Sequence, residues 1–193
     1  MKSSRMGPIL GCVAVLLAGS AGAEPIEYIF TGTGTGTLNG TPFDGSFTVT
    51  EVGDTSGVTG PSGGEFTNVA TSASFAAGAL TATLTGTTNE VIDNTAAPGF
   101  IGFVQLPAVA VEATENAAFE TYQLDTALAL TIGTPSTPIN TTPFSTSAGD
   151  LVFDTITALD FEAVVPEPTS LVLLGTGILG LGMARRRRKA EAR

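Results

Sequence analysis

The sequence predicts an all-β fold, a single sandwich built from about ten short strands. Three observations carry that expectation. Apolar residues alternate along the chain instead of recurring at helical spacing. Thr, Gly, Ala, Val and Phe dominate the middle of the sequence, and Gly, Asn, Asp and Pro punctuate the alternating runs. The segment 24–164 holds roughly 140 residues, enough for one core and too few for two comfortable ones.

The elements follow in order. Ile26, Tyr28 and Phe30 alternate, and the pattern continues from Thr31 to Leu38. Asn39-Gly40 supplies a two-residue hairpin turn before a second strand from Phe43 to Thr50. Further strands are expected at Phe66 to Phe75, Leu80 to Thr85, Phe100 to Leu106, Val109 to Ala113, Thr121 to Leu124, Ala127 to Ile132, Leu151 to Thr157 and Leu159 to Val165. Strands at this spacing suit a sandwich, with a jelly-roll arrangement among the options.

Charge is distributed unevenly. All eight Lys and Arg are terminal, and nothing basic lies between Met6 and Ala184. Of the 18 acidic residues only Glu167 and Glu191 lie beyond Val165, so the middle is a polyanion without a counter-charge. Binding to a phosphate backbone requires the bases this segment lacks, which excludes nucleic acid as a partner. The chain also has no His and no Trp, and its one Cys is Cys12. Imidazole-activated nucleophiles, His or Cys zinc sites, redox Cys pairs and Lys Schiff bases all fail for want of parts.

The two ends are more informative. Lys2 and Arg5 precede an apolar run from Gly7 to Ala18, followed by small residues. This is the layout of a secretory leader, 1–23, with Ala21 and Ala23 directing cleavage by signal peptidase before Glu24. Cys12 then leaves with the leader. At the other end, Val165-Pro166-Glu167-Pro168 is followed by an apolar stretch, Thr169 to Ala184, and a basic run, Arg185, Arg186, Arg187, Arg188 and Lys189. The apolar stretch would rise about 24 Å as a helix, a short transmembrane span. Its basic stop should remain cytoplasmic with the tail 190–193, placing the middle outside the inner membrane. Two prolines with fixed φ and no N–H keep the Pro166-Glu167-Pro168 joint from joining either a strand or a helix.

Motif, short span and basic stop, spanning 165–189, together resemble the PEP-CTERM sorting signal of Gram-negative bacteria, a pattern also described as an ice-binding protein C-terminal motif. The resemblance implies recognition and removal of the tail by exosortase in bacteria that make extracellular polysaccharide. It implies a route to the cell surface and not an activity. The stretches from Thr31 to Phe43 and from Thr142 to Leu151 also look like segments that recur in ectodomains carrying this tail.

Within the middle, Thr31, Thr33, Thr35 and Thr37 alternate with Gly, giving one strand face a row of hydroxyl and methyl groups about 6.7 Å apart. One row falls short of the two-dimensional array that an ice plane requires, and Thr is an ordinary solvent-side strand residue. Carboxylates are the only ionisable groups available for catalysis. Glu112 with Glu115, and Asp150 with Asp154, are the pairs a glycosidase reading would use, but residues three apart on a strand do not share a face. No metal or other cofactor is required. Calcium is the one that carboxylates in tight turns could hold, at Asp44-Gly45, Gly53-Asp54 and Gly149-Asp150.

These readings predict an exported, non-enzymatic protein of the bacterial surface or biofilm matrix, structural or adhesive in role, with extracellular polysaccharide as a candidate partner. The alternative is a carbohydrate-binding or polysaccharide-modifying protein sent by the same route.

Overall fold

The computed structural model describes residues 23–107, 110–136 and 142–166. The leader through Gly22, the motif residues Glu167 and Pro168, the expected span 169–184, the basic stop 185–189 and the tail 190–193 lie outside the described residues.

Two antiparallel sheets pack face to face. The first contains β1 (Pro25–Leu38), β2 (Thr41–Asp54), β5 (Ser72–Ala77), β6 (Leu80–Thr83), β10 (Leu128–Thr131), β12 (Phe144–Thr146) and β13 (Gly149–Val164), in the order β10-β13-β1-β2-β5-β6 with β12 also on β13. The second contains β3 (Thr59–Ser62), β4 (Glu65–Val69), β7 (Thr87–Asp93), β8 (Gly99–Leu106), β9 (Ala110–Asn116) and β11 (Thr134–Pro135), in the order β11-β9-β8-β7-β4-β3. The β1–β2 hairpin and the β7–β8–β9 meander keep consecutive strands in one sheet, unlike the sheet-to-sheet alternation of a jelly roll.

The Asn39-Gly40 turn forms as the sequence predicts, with φ of 50° and 75°. These values suit a turn of primed type, whose twist matches that of the strands it joins. The alternation of β1 also holds. Its threonines face outward and its glycines inward, toward the core. A Cβ at Gly36 would lie 2.7 Å from the Phe43 ring and closer still to the Val152 carbonyl, and one at Gly34 would meet the Thr155 carbonyl. Glycine here lets the β13 backbone and the rings of β2 approach β1.

Phenylalanine fills the space those glycines leave. Ten of the eleven are buried; Phe30 and Phe103 meet across the sandwich with centroids 5.0 Å apart, and Phe47 and Phe153 pack within the first sheet at 4.9 Å. Offset and edge-to-face contacts of this kind add to the area term of burial. Only Phe100 lies outside the core.

Four sequence expectations are corrected. Phe66 to Phe75 is two strands in different sheets: the Ala70 N–H bonds Thr88 of β7, and the next N–H, of Thr71, bonds Val52 of β2. The inward parity changes at this crossing, from Phe66 and Asn68 before it to Ala73 and Phe75 after it. Thr121 to Leu124 is not a strand; a 3-10 turn over Ala117–Thr121 leads to Leu124 at φ 64°. Leu151 to Thr157 and Leu159 to Val165 form one strand, β13, whose register against β1 shifts at Thr33/Gly34 and Thr35/Gly36. Thr87–Asp93, unassigned from sequence, is a central strand of the second sheet.

Replacing Gly34 by Val is expected to remove several kcal/mol of stability or to prevent folding, because the side chain meets backbone that cannot yield. Thr33→Val, one residue away and exposed, should change stability by less than about 1 kcal/mol. Denaturant titration of the two variants tests the assignment of faces.

Candidate functional site

The strands of each sheet bring a polar pair to the inner face. In the first sheet Tyr28 of β1 stands opposite Glu51 of β2. In the second, Asn68 of β4 stands opposite Glu90 of β7. The Asn68 amide joins the two pairs across the sandwich, donating from Nδ2 to the Tyr28 hydroxyl at 2.7 Å and to the Asp54 carbonyl at 3.0 Å. Tyr28 in turn donates to the Leu124 carbonyl at 2.6 Å. The left-handed backbone at Leu124, uncommon outside glycine, occurs at the residue whose carbonyl receives this bond.

Glu51 and Glu90 are fully buried, and none of their four carboxyl oxygens has a hydrogen-bond partner. An isolated carboxylate in such surroundings costs far more than its protonated form. Burial pushes Glu51 up to about 8. Burial, reinforced by the neighbouring Glu51, carries Glu90 well above the usual range. Burial also raises the phenols of Tyr28 and Tyr122; Asn68 opposes the shift at Tyr28, while Glu90 and Asp125 add to it at both. The layer is therefore neutral at mildly acidic pH.

The sequence analysis missed both glutamates. The signal was there: Glu51 continues the inward series Phe47, Val49, and Glu90 sits between Thr88 and Ile92. In each case strict alternation places a carboxyl on the buried face.

The pairs singled out from sequence do not converge. Glu112 points into the core and Glu115 lies on the other face, half-buried. Asp150 and Asp154 are both exposed on β13. Of the turn carboxylates, Asp54 caps a 3-10 turn, its Oδ1 accepting from the Ser56 N–H at 2.7 Å and the Ser56 hydroxyl at 2.6 Å. Asp44 and Asp150 are exposed. Among the described residues no three acidic, His or Cys side chains assemble as a metal-ligand set. The threonine row does belong to a wider hydroxyl-bearing face, with Thr48 beside Thr31, Ser46 beside Thr33, and Thr50 beside Ser74.

Val165 and Pro166 follow directly on β13, and Glu27 near the start of β1 pairs with Val164 at its end. Both ends of the domain thus leave the sandwich at one end of the first sheet. No helix among the described residues is long and apolar enough to cross a membrane.

The PEP-CTERM protein-sorting motif matches residues 164–189. No curated protein and no solved structure matches the chain.

The buried carboxyls dictate the pH dependence. For Glu51 the folded-state value, about 8, lies above the usual 4.5, so its contribution is fully present below about pH 4.5 and is lost as pH rises through about 8. Thermal midpoints should fall by several degrees or more over that window. Glu51→Gln, which cannot ionise, should flatten the slope; an unchanged slope would show that the carboxyl carries no linked proton.

Proposed function

We propose a role that starts from the exosortase-dependent sorting of an exported protein, which the motif at residues 164–189 marks. We propose that the leader 1–23 is removed at Ala23, that exosortase of a Gram-negative cell cuts the tail near Pro166, and that the released or surface-held domain has a structural or adhesive role and no enzymatic one. The observation that carries this reading is the placement of the motif. It begins where β13 ends, so a cut beyond Val165 leaves every strand pair of the sandwich intact. β13 ends at the same end of the sheet at which β1 begins. A domain held at that end presents the rest of its surface away from the membrane. The non-enzymatic part of the proposal rests on the candidate carboxylate pairs, which lie on separate faces or in open solvent, whereas the two carboxyls that do approach each other are sealed in the core.

Intact mass of the protein recovered from the cell surface and the medium tests the route. A species beginning at Glu24 and ending near Pro168, alone or with an added group, is expected. A mass that retains Thr169 to Arg193 would make the protein a permanent membrane resident. Digestion with trypsin should leave the domain uncut, since residues 24–168 contain no Lys or Arg. Absence of sugar release from extracellular polysaccharide by the same material tests the non-enzymatic assignment.

A further inference from the structure

The outer faces of the two sheets differ in kind. That of the first sheet carries Thr31, Thr33, Ser46, Thr48, Thr50 and Ser74, as solvent-facing strands ordinarily do. The second sheet instead carries an apolar band at its middle, with Val91, Gly102, Ala113, Val69, Val104 and Val111 among its outward residues and acids at one end. Strand register sorts its outward side chains into rows: Glu65, Asp93, Phe100 and Glu115 form the first, Thr67, Val91, Gly102 and Ala113 the second, Val69, Asn89, Val104 and Val111 the third, and Thr87 with Leu106 the fourth.

Two features of these rows constrain what can cover them. On β8 and β9 the second row is low, with Gly102 and Ala113, and the third is high, with Val104 and Val111. Gly102 leaves a hollow of about 420 Å³ beside Val91 and Ala113, and the hollow is fixed, because a Cβ at Gly102 would stand 2.5 Å from the Glu112 carbonyl and 2.7 Å from the Ala113 Cβ. Val104 and Val111 stand immediately beside it, with Val69 55% exposed and Leu106 38% exposed at the margins. The charges, all negative, are confined to the first row, and the fourth row has none.

We infer that this face pairs with the same face of a second copy of the chain, about a two-fold axis that runs across the strands between the second and third rows. The axis sets Val104 of one copy over the Gly102 hollow of the other, Val111 over Ala113, and Phe100, the one phenylalanine left out of the core, over Leu106. It also sets the acidic first row of each copy over the uncharged fourth row of its partner. A two-fold along the strands would instead oppose acid to acid in a domain without a base to relieve them. The low and high rows are thus exchanged by the same operation that separates the charges, which is the self-complementarity an isologous interface requires. Twist in each sheet would cross the strands of the two copies at about 30°, with the sheets about 10 Å apart. This inference goes beyond the sorting route and does not depend on it.

Sedimentation equilibrium of the full chain in density-matched detergent counts the copies in each particle. Two are expected, with association tightening as salt screens the net negative charge of the domains. Val104→Glu should weaken the pairing about tenfold or more, giving single copies at an unchanged thermal midpoint. Thr48→Glu, on the opposite face, should leave pairs intact. If Val104→Glu lowers the midpoint, Leu106→Glu at a margin already in water replaces it. Single copies of the unaltered chain at about 100 µM would overturn the inference, a result that would leave the face to a partner of another kind. So would pairs that survive both substitutions, because the association would then run through the tail or another surface.

Discussion

The fold depends on pairing its first strand with its last. β1 and β13 run antiparallel from Glu27 opposite Val164 to Leu38 opposite Leu151, at the centre of the larger sheet. Every other element is inserted between them in sequence, so the contact is as non-local as the chain allows, and its closure entropy must be met by close packing. Three glycines on the inner face of β1 make that packing available. They let the β13 backbone come near and leave room for Phe43, Phe47 and Phe153 to meet over them. β12 then bonds to β13 on one side and, through Thr85 and Ser147, to the end of β6 on the other, covering both edges of the sheet at that point.

A second constraint is the missing counter-charge. In most domains a buried glutamate finds Arg or Lys, but here no base exists between the two ends of the chain. Protonation is what remains for Glu51 and Glu90 as long as they stay inside. The same deficit governs the surface. No base is at hand to offset the outward acids of the second sheet, Glu65, Asp93 and Glu115, which are collected in one row at one end of the outer face, Glu65 directly opposite Asp93. Asp93 in that row keeps its charge comfortably, held below the usual range by the hydroxyl and amide of Thr95.

Much of this was legible in the sequence, and what was hidden shares one cause. The class, the Asn39-Gly40 hairpin and the outward threonines of β1 follow from alternation and turn chemistry, which are local. Alternation reports which side of a strand is buried but not which sheet the strand belongs to, so the crossing at Ala70 and Thr71 shows only as a change of parity, from Phe66 and Asn68 to Ala73 and Phe75. The joining of two expected strands into β13 was hidden for a related reason. Register shifts against β1 disturb the alternation between Asp154 and Ala158 without ending the strand. Glu51 and Glu90 were hidden differently: periodicity places them inside, and the habit of assigning carboxylates to water overrides it. The sorting motif was legible because recognition reads it as extended sequence, independent of the fold. The domain's own partner leaves no linear signature of that kind.

β8 shows where the remaining information lies. Its sequence, Gly-Phe-Ile-Gly-Phe-Val-Gln-Leu, is apolar at nearly every position, the composition of a strand buried on both faces. Within one copy only the face bearing Ile101, Phe103 and Gln105 is covered by the other sheet. Gln105 satisfies its amide there by bonding both backbone groups of Ser145, at 2.9 and 2.5 Å. The other face, Phe100, Gly102, Val104 and Leu106, has a large, small, medium, large order that reads nearly the same from either end. A strand selected only for solvent exposure on that side would be expected to resemble β1, with its threonines. That it instead carries the residues of a core, in an order a two-fold can superpose, is the physical reason to look for the second layer in another copy of the same molecule.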